Sequence, residues 1–213
     1  VVFQSERFEI YRAALKRLND MGITYPCFCT RKEIQNAASA PHGPGPSYPG
    51  TCRGLSDREC RERAEVRPAA IRLRVCEKAR NAGVDDIVLV RNDGVPAYNL
   101  AVVVDDHLQG VTQVVRGDDL EHVTPSQMHL QALLGFPPPE YVPLPLMVGP
   151  DGERLAKRHG DVTLTDCLRL GYSADAVRRA LLRSLEVGSN GWAPSSSLSE
   201  WLKSLLSEPD TSG

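Results

Sequence analysis

The chain has no long apolar run. The longest is about five residues, Leu100 to Val104, far below the roughly 20 that a bilayer-spanning helix needs. A transmembrane helix is therefore not expected. Nor is there a net field of either sign. The formal charge is −2, so any RNA partner must be held by a local basic face and by shape. Aromatic residues are scarce, at 6%, and no RNP-like stretch occurs. That disfavours a module that reads single-stranded loops by base stacking. The chain opens Val1-Val2-Phe3-Gln4 with no Met, and no charged-then-apolar leader precedes the first helical pattern. No secretion signal is expected, and the start reads as a cut. What remains is the balance of a soluble globular protein. Its 213 residues, 41% apolar and 24% charged, suit one ordinary domain or one large domain with a small insert.

The spacing of apolar residues predicts the elements. Phe8, Tyr11, Ala14, Leu15 and Leu18 recur at helical steps, with Ser5 as a candidate cap and Gly22 as the stop. Tyr25 to Cys29 reads as extended, and residues 36 to 54 as a loop by composition. Ser56 opens a charged helix. Ala70 to Val75 reads as a half-exposed strand and Asp86 to Arg91 as another, followed by the turn Asn92-Asp93-Gly94. Residues 97 to 106 fit either a strand or a buried helix. Val111 to Val115 reads as a strand, and Thr124-Pro125 as a helix start that Gly135 ends. Pro143 and Pro145 bar the extended piece 141 to 148 from a fully paired central position. Helices are expected over 165–171, 174–187 and 199–206, with a Gly/Ser linker at 188–197.

Six cysteines are present: Cys27, Cys29, Cys52, Cys60, Cys76 and Cys167. A core of this size needs no disulfide staples. Cys-x-Cys with a third cysteine across a long loop reads better as a structural metal site, Cys27, Cys29 and Cys52 supplying thiolates. A fourth ligand is needed for tetrahedral closure. His42 and Tyr48 both lie in the loop. Chemistry alone favours His42, because a neutral imidazole binds without losing a proton whereas a phenol must lose one from about pKa 10. The other three cysteines read as unpaired thiols.

Three segments carry a resemblance: Asp93 through His107, with Tyr98 near its middle; Gly110-Val111-Thr112 through Arg116-Gly117-Asp118-Asp119-Leu120; and Arg154-Leu155-Ala156-Lys157-Arg158. Their content and order resemble the catalytic domain of class I glutamyl-tRNA synthetases, most closely the branch of short paralogues, the glutamyl-Q tRNA(Asp) synthetases. The resemblance covers about residues 3 to 188. It implies an α/β, Rossmann-like catalytic domain with a zinc-bearing insert, lacking here its first strand and HIGH-type motif. The expected layout is a Rossmann remnant at 1–24, the insert at 25–92, the second Rossmann half at 93–188, and a linker with a C-terminal helix at 189–213.

The resemblance further implies ATP-dependent activation of glutamate, with Mg²⁺, and its transfer to the queuosine base of tRNA(Asp). Tyr98 and Arg116 would contact glutamate, and Lys157 with Arg154 would contact ATP. The zinc ligands would be Cys27, Cys29, Tyr48 and Cys52, which sets Tyr48 against the His42 preferred on chemistry. A cytoplasmic monomer away from membranes is expected. This segment alone is expected to form adenylate poorly. Two departures stand out: Arg154 replaces the usual first lysine of the ATP loop, and Ala156 its serine.

Elementary chemistry supports these roles. Glutamate needs a fixed cation, and an arginine fork matches a carboxylate in two places. Arg116 follows an apolar strand and precedes Gly117, a place where ligands of open α/β sheets bind. A basic turn flanked by Gly149, Gly152 and Gly160 suits charge building on a leaving pyrophosphate. Asp105, Asp106 and His107 look catalytic on paper, but successive side chains point apart on any regular element, so we read them as structural or cleft-edge residues. The rival readings are a glutamyl-tRNA synthetase that charges tRNA(Glu), and a non-catalytic, zinc-stabilised RNA-binding module.

Overall fold

The computed structural model describes residues 2–37, 48–146, 163–169 and 171–179. They fall into two compact units, Val1–Val114 with Leu120–Tyr141, and Val115–Asp119 with Val142–Gly213.

The first unit is built on helix α1 (Phe8–Asp20), strand β1 (Thr24–Cys27), helix α2 (Arg31–Ala37), helix α3 (Asp57–Val66), strand β2 (Ala70–Leu73), helix α4 (Glu77–Asn81), strand β3 (Val88–Val90), helix α5 (Tyr98–Leu108) and helix α6 (Thr124–Leu134). The three strands form one antiparallel sheet in the order β1-β2-β3. β1 lies at the edge, where Pro26, opposite Ile71, is tolerated because an edge needs no full set of amide donors.

Tyr11, Ala14 and Leu18 of α1 point into a core shared with Leu73, Val75, Leu89, Leu100, Val103, Leu130 and Leu134. Most of these side chains are fully buried, each contributing about 1.5–3 kcal/mol relative to exposure. The stretch 97–106, ambiguous by pattern, is helical. α5 buries Leu100, Ala101, Val103, Val104 and Asp105, so it is covered on several sides and shows little amphipathic stripe. Ser5 does not cap α1. It lies in a 3₁₀ turn, Gln4–Glu6, and Arg7 takes the cap position with no side-chain bond. Ser56 does cap α3, in a reciprocal capping box with Glu59. Pro125 opens α6 and Gly135, at φ +71°, closes it.

Asp105 ties the N-terminal segment to α5. Its carboxylate is buried and accepts from Arg7 Nε at 2.7 Å, Tyr11 Oη at 2.7 Å and Gln4 Nε2 at 3.2 Å. Asp105→Asn keeps the shape but removes the charge that faces Arg7. We expect it to cost about 2–3 kcal/mol, read as a lower denaturant midpoint at unchanged slope. His107, two residues on, stacks flat on Phe136 at 3.8 Å between ring centres.

Burial, followed by the bond to Asp105, pushes the Tyr11 phenol up to about 12. A raised folded-state pKa means that this contribution to stability is complete below pH 10 and fades as pH rises through about 12. Tyr11→Phe is expected to flatten that part of an alkaline unfolding profile followed by circular dichroism.

Strand β4 (Gln113–Gly117) pairs with β5 (Glu140–Leu144) in a two-stranded sheet. The second unit also holds helix α7 (Leu164–Arg169), which buries Cys167, and a helical stretch at 174–179. The basic turn 154–158, the loop around His42, the linker 188–197 and the expected helix 199–206 lie outside the described residues.

Candidate functional site

Two expectations about β2 and its surroundings meet at a knot of sulfur and phenol. β1 delivers Cys27, the turn after it delivers Cys29, and the segment from Tyr48 delivers Cys52. The three sulfurs lie within 4.8 Å of one another. Cys29 Sγ and Cys52 Sγ are 3.6 Å apart. Ligands about 2.3 Å from a tetrahedral zinc stand about 3.8 Å from each other, so the spacing fits. Tyr48, 1% exposed, brings its hydroxyl to 3.4 Å from Cys27 Sγ and 3.8 Å from Cys29 Sγ. Three thiols and one phenol therefore converge as a set of four donors. The six cysteines are unpaired with each other.

The electrostatics around the knot are uneven. Burial, then the bond to Cys52, pushes the Cys29 thiol up to about 11. Burial, then the bond from Cys27, also pushes the Tyr48 phenol upward. Burial raises Cys52 as well, but donation from the Phe28 amide at 3.4 Å and the neighbouring Tyr48, Cys29 and Cys27 outweigh it, so Cys52 is lowered. Arg63 Nη1 stands 3.7 Å from Cys52 Sγ. Loading a cation would displace the protons of Cys29 and Tyr48, so affinity would rise with pH.

The guanidinium of Arg72 lies 3.8 Å from the centre of the Tyr48 ring. A cation stacked on a phenol favours the phenolate over the neutral ring, which suits Tyr48 as an anionic ligand. Sequence alternation places Arg72 on a half-exposed strand. The residue is instead 7% exposed and donates from Nη1 to the Asp86 carbonyl at 2.7 Å. Alternation misleads here because the strand's outer face is covered by the segment from Tyr48 to Cys52.

Asp86, absent from the sequence-based candidates, holds the knot to the core. Its fully buried carboxylate accepts from Tyr25 Oη at 2.7 Å, from Arg53 Nη1 at 2.6 Å and from the Val75 amide at 2.8 Å. An acid adjoining the apolar run Ile87 to Val90 is the signal that marks it.

Tyr98 and Arg116, the expected glutamate contacts, lie in different units. Tyr98 starts α5 with its side chain exposed, at 56%, so it is not a core aromatic. Arg116 is half-buried near the end of β4. Gly117 beside it cannot carry a side chain without displacing its neighbours. A Cβ there would stand 2.6 Å from Asp119 Oδ1 and 2.7 Å from Leu146 Cδ2. Arg154 and Lys157 lie outside the described residues, as does His42, so Tyr48 is the one candidate for the fourth position that can be placed.

Comparison with known proteins identifies the scaffold. The family model for the class I tRNA synthetases (E and Q), catalytic domain, matches residues 1–197. The chain is 56% identical over 196 residues to a glutamyl-Q tRNA(Asp) synthetase of Nocardia farcinica, covering 87% of this chain and 63% of that protein. It is 47% identical over 192 residues to the glutamyl-Q tRNA(Asp) synthetase of Symbiobacterium thermophilum, covering 82% of this chain and 59% of the relative. A glutamate–tRNA ligase of Syntrophotalea carbinolica is 35% identical over 198 residues, covering 85% and 41%. Among solved structures, the glutamate-tRNA synthetase of Elizabethkingia anophelis superposes with a TM-score of 0.56 at 26% identity, over 79% of this chain and 38% of that one. The chain thus spans about 60% of the length of these two glutamyl-Q tRNA(Asp) synthetases. It belongs to the class I tRNA synthetases (E and Q), matching their catalytic domain over residues 1–197.

Proposed function

We propose that the protein activates glutamate with ATP and transfers it to the queuosine base of tRNA(Asp). One observation carries this reading: identity is 56% and 47% to two glutamyl-Q tRNA(Asp) synthetases but 35% to a glutamate–tRNA ligase. In the first step a glutamate carboxylate oxygen attacks the α-phosphorus of ATP, giving glutamyl-adenylate and pyrophosphate. Arg116 holds one carboxylate of glutamate and the exposed Tyr98 lends its hydroxyl. Lys157, with Arg154, stabilises the negative charge on the phosphates. Magnesium, bound with ATP, would neutralise the same oxygens. In the second step the activated glutamate passes to the modified base and AMP leaves. Charging assays with queuosine-containing tRNA(Asp) and with tRNA(Glu) test the reading. Glutamate incorporated into tRNA(Asp) alone is the expected result; incorporation into tRNA(Glu) alone would overturn it.

The knot of Cys27, Cys29, Cys52 and Tyr48 would hold a structural zinc ion, which pins the long loop rather than taking part in chemistry. The convergence of three thiols and one phenol, enough to fill a tetrahedral shell, supports that division. Tyr48→Phe is expected to weaken zinc affinity about tenfold or more, and His42→Ala to leave it unchanged. Competition with a chromophoric chelator measures both, and the reverse order would assign the fourth ligand to His42.

A further inference from the structure

Helix α5 starts without the usual local anchor. Its cap position is Ala97, which makes no side-chain bond, and its first turn holds no acid. Helix starts leave amide donors unfilled, and a Ser, Thr, Asp or Asn cap normally satisfies one of them. The first residue of this weakly capped turn is Tyr98, whose side chain is exposed. A side chain that must meet a ligand atom within about 0.5 Å cannot stand on a fraying turn, so its support has to come from elsewhere.

It comes from α6. Gln127 is 1% exposed, and among its contacts Nε2 donates to Asn99 Oδ1 at 3.0 Å. Asn99 is half-buried and follows Tyr98 directly. α6 is a firm base for such a bond. Leu130 and Leu134 root it in the core, and Ser126 Oγ accepts from the Asp85 amide at 2.8 Å. The Asp85 carboxylate accepts in turn from the Tyr48 amide at 3.2 Å. Contacts therefore run from the cysteine knot through α6 to the first turn of α5, all within the first unit.

Packing alone does not call for a glutamine at 127. A leucine would seal α6 against its neighbours with no polar group to satisfy, as the fully buried Leu130 does about one turn on. A buried amide is costly unless it is bonded. What Gln127 supplies at this place is direction rather than apolar area.

We propose that Gln127 is a positioning residue for glutamate recognition: through Asn99 it holds the first turn of α5, and with it the direction in which Tyr98 presents its hydroxyl. Gln127 touches no substrate in this scheme and acts only through the turn it holds. The inference rests on the reading that Tyr98 contacts glutamate, and it adds to that reading the pair of side chains that keeps the contact in place.

The test is glutamate-dependent pyrophosphate exchange by the intact protein, with glutamate and ATP varied separately, and thermal unfolding of the same samples. Gln127→Met fills the space without a donor, and Asn99→Ala removes the acceptor with the best helix former. Each is expected to raise KM for glutamate about fivefold, the size of one ordinary hydrogen bond. Both kcat and KM for ATP should stay within about twofold. Because Gln127 acts through Tyr98, adding Gln127→Met to Tyr98→Phe should change KM for glutamate by less than about twofold. A lower melting temperature with KM for glutamate unchanged in both single variants would make the pair merely structural and overturn the proposal. An effect confined to one of the two would assign that residue a separate role and overturn it too, as would multiplicative losses in the double variant. If Tyr98→Phe keeps the wild-type KM for glutamate, or the wild type shows no glutamate-dependent exchange, the glutamate reading itself falls and this inference with it.

Discussion

Arg116→Gln is expected to raise KM for glutamate about a hundredfold and to leave KM for ATP within about twofold. The size follows from what glutamine removes. A guanidinium can give a carboxylate two charge-assisted hydrogen bonds, each worth about 1.5–3 kcal/mol, and about 3 kcal/mol is a factor of roughly 100. Glutamine keeps one neutral donor and no charge. Arg116→Lys keeps the charge but loses the fork, so it should fall between the two. Glutamate-dependent pyrophosphate exchange measures all three. If both variants keep wild-type KM for glutamate, Arg116 is not the carboxylate anchor. Gly117→Ala offers a geometric control. The added methyl would press on the side-chain ends of Asp119 and Leu146 and disturb the surroundings of Arg116 without touching its charge.

The second large effect is expected at the knot. Cys52→Ser, or prolonged chelation, should release zinc and lower the melting temperature by ten degrees or more. Structural zinc in small domains contributes apparent free energies of about 10–16 kcal/mol, and only part of that must be lost to dominate the balance of a domain whose whole stability is about 5–15 kcal/mol. The hydrophobic cluster around the knot is small, comprising Tyr25, Cys27, Phe28, Tyr48 and Cys52 with a fringe that includes Ile34, Leu55 and Cys60. Without a cross-link, such a cluster has little with which to hold a long loop. Metal content by elemental analysis and thermal unfolding of the same samples check the expectation. Full stability in a metal-free protein would show that the cluster suffices alone.

The parts of this fold that were legible in the sequence are those where periodicity, caps and turns agree. α1, α6 and the turn at Asn92-Asp93-Gly94 follow from spacing and glycine placement, and α3 from Ser56 and Glu59. The short helices α2 and α4 escaped notice because 7 and 5 residues with mostly polar side chains carry no stripe. α5 stayed ambiguous because burial on several sides erases one. At the knot, spacing pointed to the three cysteines, but chemistry alone preferred an imidazole to a phenol. That preference leaves out the cation of Arg72 over the Tyr48 ring, a partner 24 residues away in sequence that only folding brings near. Asp86 and Asp105 belong to the same class. Each is the member of an Asp-Asp pair that adjoins an apolar run, Asp86 before Ile87 and Asp105 after Val104, and the partners that justify its burial come from distant segments.

Pro26 has a bearing on how this protein avoids its own copies. The outer strand of a sheet offers unpaired backbone groups on which another chain can add. β1 is one of the two edges of its three-stranded sheet, and in four residues, Thr24 to Cys27, it carries one that has no amide hydrogen to offer. Without that residue the strand would expose a short adhesive border, and the proline blunts it.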